Sequence, residues 1–92
     1  MNTKQFKFYS DAGHGWIAVP KKLLNELGIS NQISGFSYES KGGKIAYLEE
    51  DADASLFAKT YKEKFGKLPD VEEIYHGNNS PIRCFPPYHS GK

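Results

Sequence analysis

The sequence predicts an α+β fold, a small and mainly antiparallel sheet of about four to six strands with two helices packed on one face. Three observations point there. Apolar and polar residues alternate near the N-terminus and again around residues 34–49, the period of half-buried strands. Two other stretches carry leucines or aromatics at helical spacing, and each is followed by a glycine. Clusters of Gly, Ser, Asn, Asp and Pro separate these runs, giving the order β-β-α-β-β-α-β.

The first strand is read over Lys4–Ser10, with Phe6 and Phe8 on one face. The turn formers Ser10–Gly15 lead into Trp16–Val19, so the two runs form a hairpin that ends at Pro20. Proline fits the start of a helix, where its missing N–H costs nothing; Leu23, Leu24 and Leu27 then line one face and Gly28 stops the helix. Ser34–Glu39 and Lys44–Glu49 read as a second hairpin joined through Ser40–Gly43. Asp51 or Asp53 is placed to cap the next helix, which runs to about Phe65. Its buried stripe is Phe57, Tyr61 and Phe65 with Ala54 and Ala58 alongside, and Gly66 and Pro69 mark its end. Val71–Tyr75 adds a short strand. Ile82–Phe85 is expected to pair briefly at a sheet edge before Pro86 and Pro87 forbid regular pairing.

At 92 residues the chain suits one domain, since an independent core needs roughly 50 residues or more. The single domain is expected over 1–83, with 84–92 as a loose tail. Six Phe, six Tyr and one Trp supply the burial that a disordered chain lacks. A formal net charge of +1 marks neither a basic nucleic-acid binder nor an acidic DNA mimic. One cysteine, Cys84, excludes an internal disulfide and a cysteine-based zinc site, and fits a reducing cytoplasm. The first residues lack the apolar run of a signal peptide, and no window approaches the roughly 20 apolar residues of a membrane span.

Chemistry-bearing residues are few. Asp11 and His14 share one tight turn beside Trp16, an arrangement that suits acid-base work but lacks a nucleophile or second base; a solvated turn is the simpler reading. Glu49, Glu50, Asp51 and Asp53 form an acidic corner whose spacing does not match a calcium loop, and the lysines that follow, Lys59, Lys62, Lys64 and Lys67, suit the far end of a helix dipole. As a partner-binding patch the corner would meet basic residues, with Trp16 and Tyr38 as aromatic anchors provided they are exposed. His14, His76 and His89 are scattered and carry no metal-ligand spacing, so no metal and no cofactor is expected. Arg83, the lone arginine, suits a bidentate pair with a phosphate or carboxylate, or an internal pair with the acidic helix start.

Two resemblances add to this reading. Trp16–Ile29, with its strand, Pro-Lys, short helix and Leu-Gly-Ile followed by a hairpin, resembles the AbrB-type swapped-hairpin DNA-binding proteins, although Leu23 and Leu24 stand where that family has a basic helix. It implies a dimeric DNA-binding regulator whose contacts here would be Lys4, Lys7, Lys21, Lys22, Lys44 and Arg83. Over most of the chain, Gly13-His14-Gly15-Trp16, Leu27–Ile29, Ile33-Ser34, Phe36–Tyr38, Tyr47–Asp51, Asp53 and Ser80–Arg83 resemble a group of small uncharacterised proteins of phages and other mobile elements. That resemblance implies a genomic setting in which small proteins bind and block host machinery.

The expectation is therefore a non-enzymatic, cytoplasmic accessory protein, monomer or homodimer. It would bind a host protein or nucleoprotein complex through Glu49, Glu50, Asp51, Asp53, Trp16 and Tyr38, as an anti-CRISPR or other anti-defence inhibitor does. The alternative is the AbrB-like regulator.

Overall fold

Side chains that alternate along the strands divide the sheet into two faces of different chemistry. In a computed structural model, which describes residues 5–89, the elements are β1 (Gln5–Ser10), β2 (Gly15–Pro20), α1 (Lys21–Leu27), β3 (Tyr38–Glu39), β4 (Ile45–Glu49), α2 (Asp53–Phe65) and β5 (Asp70–Tyr75). Short 3-10 turns lie at Ser30–Gln32 and Pro81–Cys84. The strand order is β3-β4-β2-β1-β5, antiparallel except for the parallel pair β1 and β5. This is the small, mostly antiparallel α+β fold expected.

Registers place Phe8 beside Ile17, Ile17 beside Leu48 and Val19 beside Ala46, so these residues share the face that the helices cover. Leu23 and Leu24 of α1 and Phe57 and Tyr61 of α2 close the core with Phe6, whose ring stands edge-on to Phe57 at 5.3 Å and to Tyr61 at 5.7 Å. α1 ends because Gly28 takes a left-handed conformation (φ 74°) that costs other residues strain, and its N–H returns to the Asn25 carbonyl. α2 carries Asp53 in its first turn and Lys62 and Lys64 in its last, the arrangement its dipole favours. Phe65, expected on the buried stripe, is exposed at the last position of α2, its ring 4.6 Å from that of Tyr61.

The opposite face is covered by chain, not by a helix. His76 stacks on Tyr9 at 5.0 Å, Phe85 packs on Tyr47 at 5.2 Å, and Ile82 is buried. Residues 84–89 are thus docked, in contrast to the loose tail expected; 90–92 lie outside the described residues. Tyr88 donates its N–H to the Ser37 carbonyl (2.9 Å) and its hydroxyl to the Ser30 carbonyl (2.8 Å), and His89 N–H reaches the Glu39 carboxylate (2.9 Å).

Two more local expectations are corrected. Ile82–Phe85 is not an edge strand. Pro81–Cys84 turns as a 3-10 segment because Ser80 Oγ accepts the Ile82 N–H and Pro81 has none to offer. The edge pairing that does occur is a bridge between Tyr38 and Pro87. β3 is also shorter than the predicted Ser34–Glu39, since Ser34–Ser37 turn aside to bond Asp53.

Gly15 lies so close to Phe8 that an added Cβ would sit 2.3 Å from the ring. Gly15→Ala is therefore expected to cost about 1–3 kcal/mol by displacing that ring, and Phe57→Ala about 3–5 kcal/mol through the cavity it leaves. Urea unfolding of both variants measures this; a Gly15→Ala protein as stable as the parent would contradict the close approach.

Candidate functional site

The open face carries a cleft of about 450 Å³ between the β1–β2 turn, β3 and the end of β4. Its floor is Trp16, which alternation in β2 places on this face and which is only 2% exposed. Tyr38 meets Trp16 edge-on at 6.1 Å, and the Arg83 guanidinium lies over the indole, 5.4 Å from its centroid. His14 borders one side and Glu49 and Asp51 the other. Phe36 forms the lip, 79% exposed.

Two inward-turned carboxylates hold the walls. Asp11 accepts the N–H groups of Gly13 and His14 (both 3.0 Å) and of Ser80 (2.9 Å), together with Nε and a terminal nitrogen of Arg83 (2.5 and 2.8 Å). The Arg83 hydrogen bond, with these backbone donors, outweighs burial and holds the Asp11 carboxyl well below the usual carboxylate range, and Asp11 in turn raises Arg83. The second is Asp53, which accepts from Ser34 N–H (3.0 Å), Ser34 Oγ (2.7 Å) and Ser37 Oγ. Ser34 Oγ accepts the Phe36 N–H (3.2 Å) and Ser37 Oγ accepts the Glu49 N–H (2.9 Å), so Asp53 sets the loop that carries the lip.

Asp53 is thus 3% exposed and offers nothing to a partner, and no side chain caps α2, whose N-cap is Ala52. The acidic corner that faces solvent is Glu50 and Asp51, with Glu49 half-buried and bonding the Asp51 N–H. Trp16 is floor, not an exposed anchor; Tyr38 is half-buried; Phe36, which the alternating pattern assigned to a strand, is the exposed aromatic. Arg83 pairs with Asp11 and not with the acidic helix start.

Among the lysines of the nucleic-acid reading, Lys7, Lys22 and Lys44 are exposed and Lys4 lies outside the described residues. Lys21 is taken up by Glu39 (2.5 Å) and the His89 carbonyl (2.9 Å). Burial would raise the Glu39 carboxyl, but Lys21 and the His89 N–H outweigh it and lower it.

Strand pairing also brings His14, Glu49 and Glu50 together, each with one ligating atom within 4.8 Å of the others, because Glu50 N–H bonds the Gly15 carbonyl. The sequence spacing did not foresee this group. It lies open to solvent, where a histidine beside two carboxylates is ordinary surface and assigns no ion.

No family model, curated protein or solved structure matches the chain. Among the described residues no helix is long and apolar enough to cross a membrane.

Asp11 and Glu39 both bind fewer protons folded than unfolded, so their stabilisation is present above the ordinary values of 3.8 and 4.5 and is lost as pH falls below them. Both anchor the segment 80–89. Thermal unfolding midpoints are expected to fall as pH drops from 5 toward 2. Asp11→Asn should lower the midpoint at neutral pH and flatten that acid dependence. An unchanged profile in a folded Asp11→Asn protein would show that the clamp carries no stability.

Proposed function

We propose that the chain is a non-enzymatic accessory protein of phage or mobile-element type that binds and blocks a host protein or nucleoprotein complex, as an anti-CRISPR or other anti-defence inhibitor. The observation that carries this reading is Phe36, a large aromatic side chain 79% exposed at the lip of an aromatic cleft that Asp51 also lines, with Glu50 next to Asp51 in the chain; neither acid forms an ion pair among the described residues. The Phe36 backbone is held by its N–H bond to Ser34 Oγ (3.2 Å), which reduces the ordering that docking requires, and interface energy concentrates on aromatic anchors. The acids beside it select a basic surface, of the sort that a nucleic-acid-handling partner presents. The resemblance to small phage and mobile-element proteins supplies the setting.

The competing readings have less to draw on. A regulator bound to DNA would lose Lys21 to Glu39 and Arg83 to Asp11, leaving Lys7, Lys22 and Lys44 as the described cations of its set. An enzyme using Asp11 as a base would need a carboxylate that is not already occupied by five donors.

Tagged protein taken through host lysate, with nuclease-treated and untreated samples compared, is expected to retain a stoichiometric protein partner in both. Phe36→Ala should weaken that complex by about 2 kcal/mol, roughly thirtyfold in Kd, and Glu50→Lys with Asp51→Lys should abolish capture while circular dichroism stays unchanged. Capture of nucleic acid alone, or undiminished capture by the folded variants, would overturn the proposal.

A further inference from the structure

The two edges of the sheet are finished differently. At β3, Tyr38 bridges Pro87 and the Glu39 N–H donates to the Pro86 carbonyl (2.9 Å), so that edge is covered. β5, at the other end, pairs with β1 alone, and no strand or bridge among the described residues takes its outer side. Along a strand, alternate residues turn N–H and C=O to the same side. His76 N–H bonds the Ser10 carbonyl (2.7 Å), so Val71, Glu73 and Tyr75 turn theirs outward.

The surroundings of this edge are apolar and acidic. Apart from Phe36, every large exposed apolar side chain among the described residues falls between 65 and 75: Phe65, Leu68, Val71 (45% exposed) and Tyr75 (66%). The strand holds Asp70, Glu72 and Glu73 and no cation; Asp70 has Lys67 at 3.7 Å, whereas Glu72 and Glu73 form no ion pair among the described residues. A second copy pairing antiparallel with β5 about Glu73 would set Glu73 against Glu73, placing like charges across the new ladder.

We propose that β5 is a docking edge for an extended, basic segment of a partner protein, which adds to the sheet as a further strand. Its main chain would bond Val71, Glu73 and Tyr75; on one face its cationic side chains would meet Asp70 and Glu72, and on the other its apolar ones would meet Val71 and Tyr75, which share that face with Glu73. This surface lies at the far edge from the cleft and does not depend on the inhibitor reading.

The test uses the full chain and a fluorescein-labelled eight-residue peptide of alternating Lys and Val, followed by anisotropy. Saturable binding is expected, with slowed amide exchange at Val71, Glu73 and Tyr75. N-methylation of alternate peptide amides should weaken binding by about tenfold or more, because it removes donors without changing charge. Replacing the peptide lysines by Glu should abolish binding, as should Glu72→Lys with Glu73→Lys in a protein that remains folded. Equal binding of the N-methylated peptide, protection elsewhere, no binding, or self-association of the chain through β5 would each overturn the proposal; the N-methylation comparison needs no protein variant.

Discussion

The Asp11 carboxylate gathers what the helices do not. A sheet with helices on one side leaves its other face wet unless something covers it, and here the cover is a short irregular segment with little regular hydrogen bonding of its own. Asp11 anchors that segment to the β1–β2 turn by taking the Ser80 N–H and the Arg83 fork while also ordering Gly13 and His14. With Arg83 so held, the guanidinium lies over Trp16, and the indole becomes a floor instead of an exposed patch. Breaking a pair of this kind by removing one partner leaves the other charge uncompensated, which is why so much of the open face hangs on one side chain.

Acidic residues serve opposite ends in this protein. Asp11 and Asp53 are turned inward and act as assembly points for loops; Glu50 and Asp51, close to Asp53 in sequence, stay in water. The distinction follows from available donors. Two serines and a free backbone N–H stand opposite Asp53, enough to replace its hydration, whereas no hydrogen bond among the described residues reaches the carboxylate of Glu50 or Asp51. Two carboxylates thus shape the cleft, while Asp51 on its border and Glu50 beside Asp51 in the chain stay in water.

The strands, helices and stops were legible because their signals are local. Alternation marked β1 and β4, an apolar run after a turn marked β2, helical spacing marked α1 and α2, and Gly28 and Gly66 closed the helices as their positive φ allows. The site was mostly hidden because its contacts are remote. Asp11 and Arg83 are 72 residues apart, and nothing near either one announces the other. Trp16 was read as a candidate anchor because sequence gives its face but not what covers that face. The Ser34–Ser37 serines fit a strand pattern equally well, and only Asp53 across from them decides that they leave the ladder and push Phe36 outward.

The parallel pairing of β1 with β5 has a consequence for the order in which the molecule is made. β1 is synthesised before the other strands of the sheet, yet its second neighbour begins at Asp70, and the segment that closes the open face follows still later. A chain emerging from the ribosome at about 5–20 residues per second can form the β1–β2 hairpin early, but must hold Trp16 and Tyr47 uncovered until Arg83 and Phe85 are out. The lined cleft therefore forms only after every strand of the sheet has been made, and a nascent chain still tethered at residue 80 exposes a wet aromatic face where the folded domain has a lined cleft.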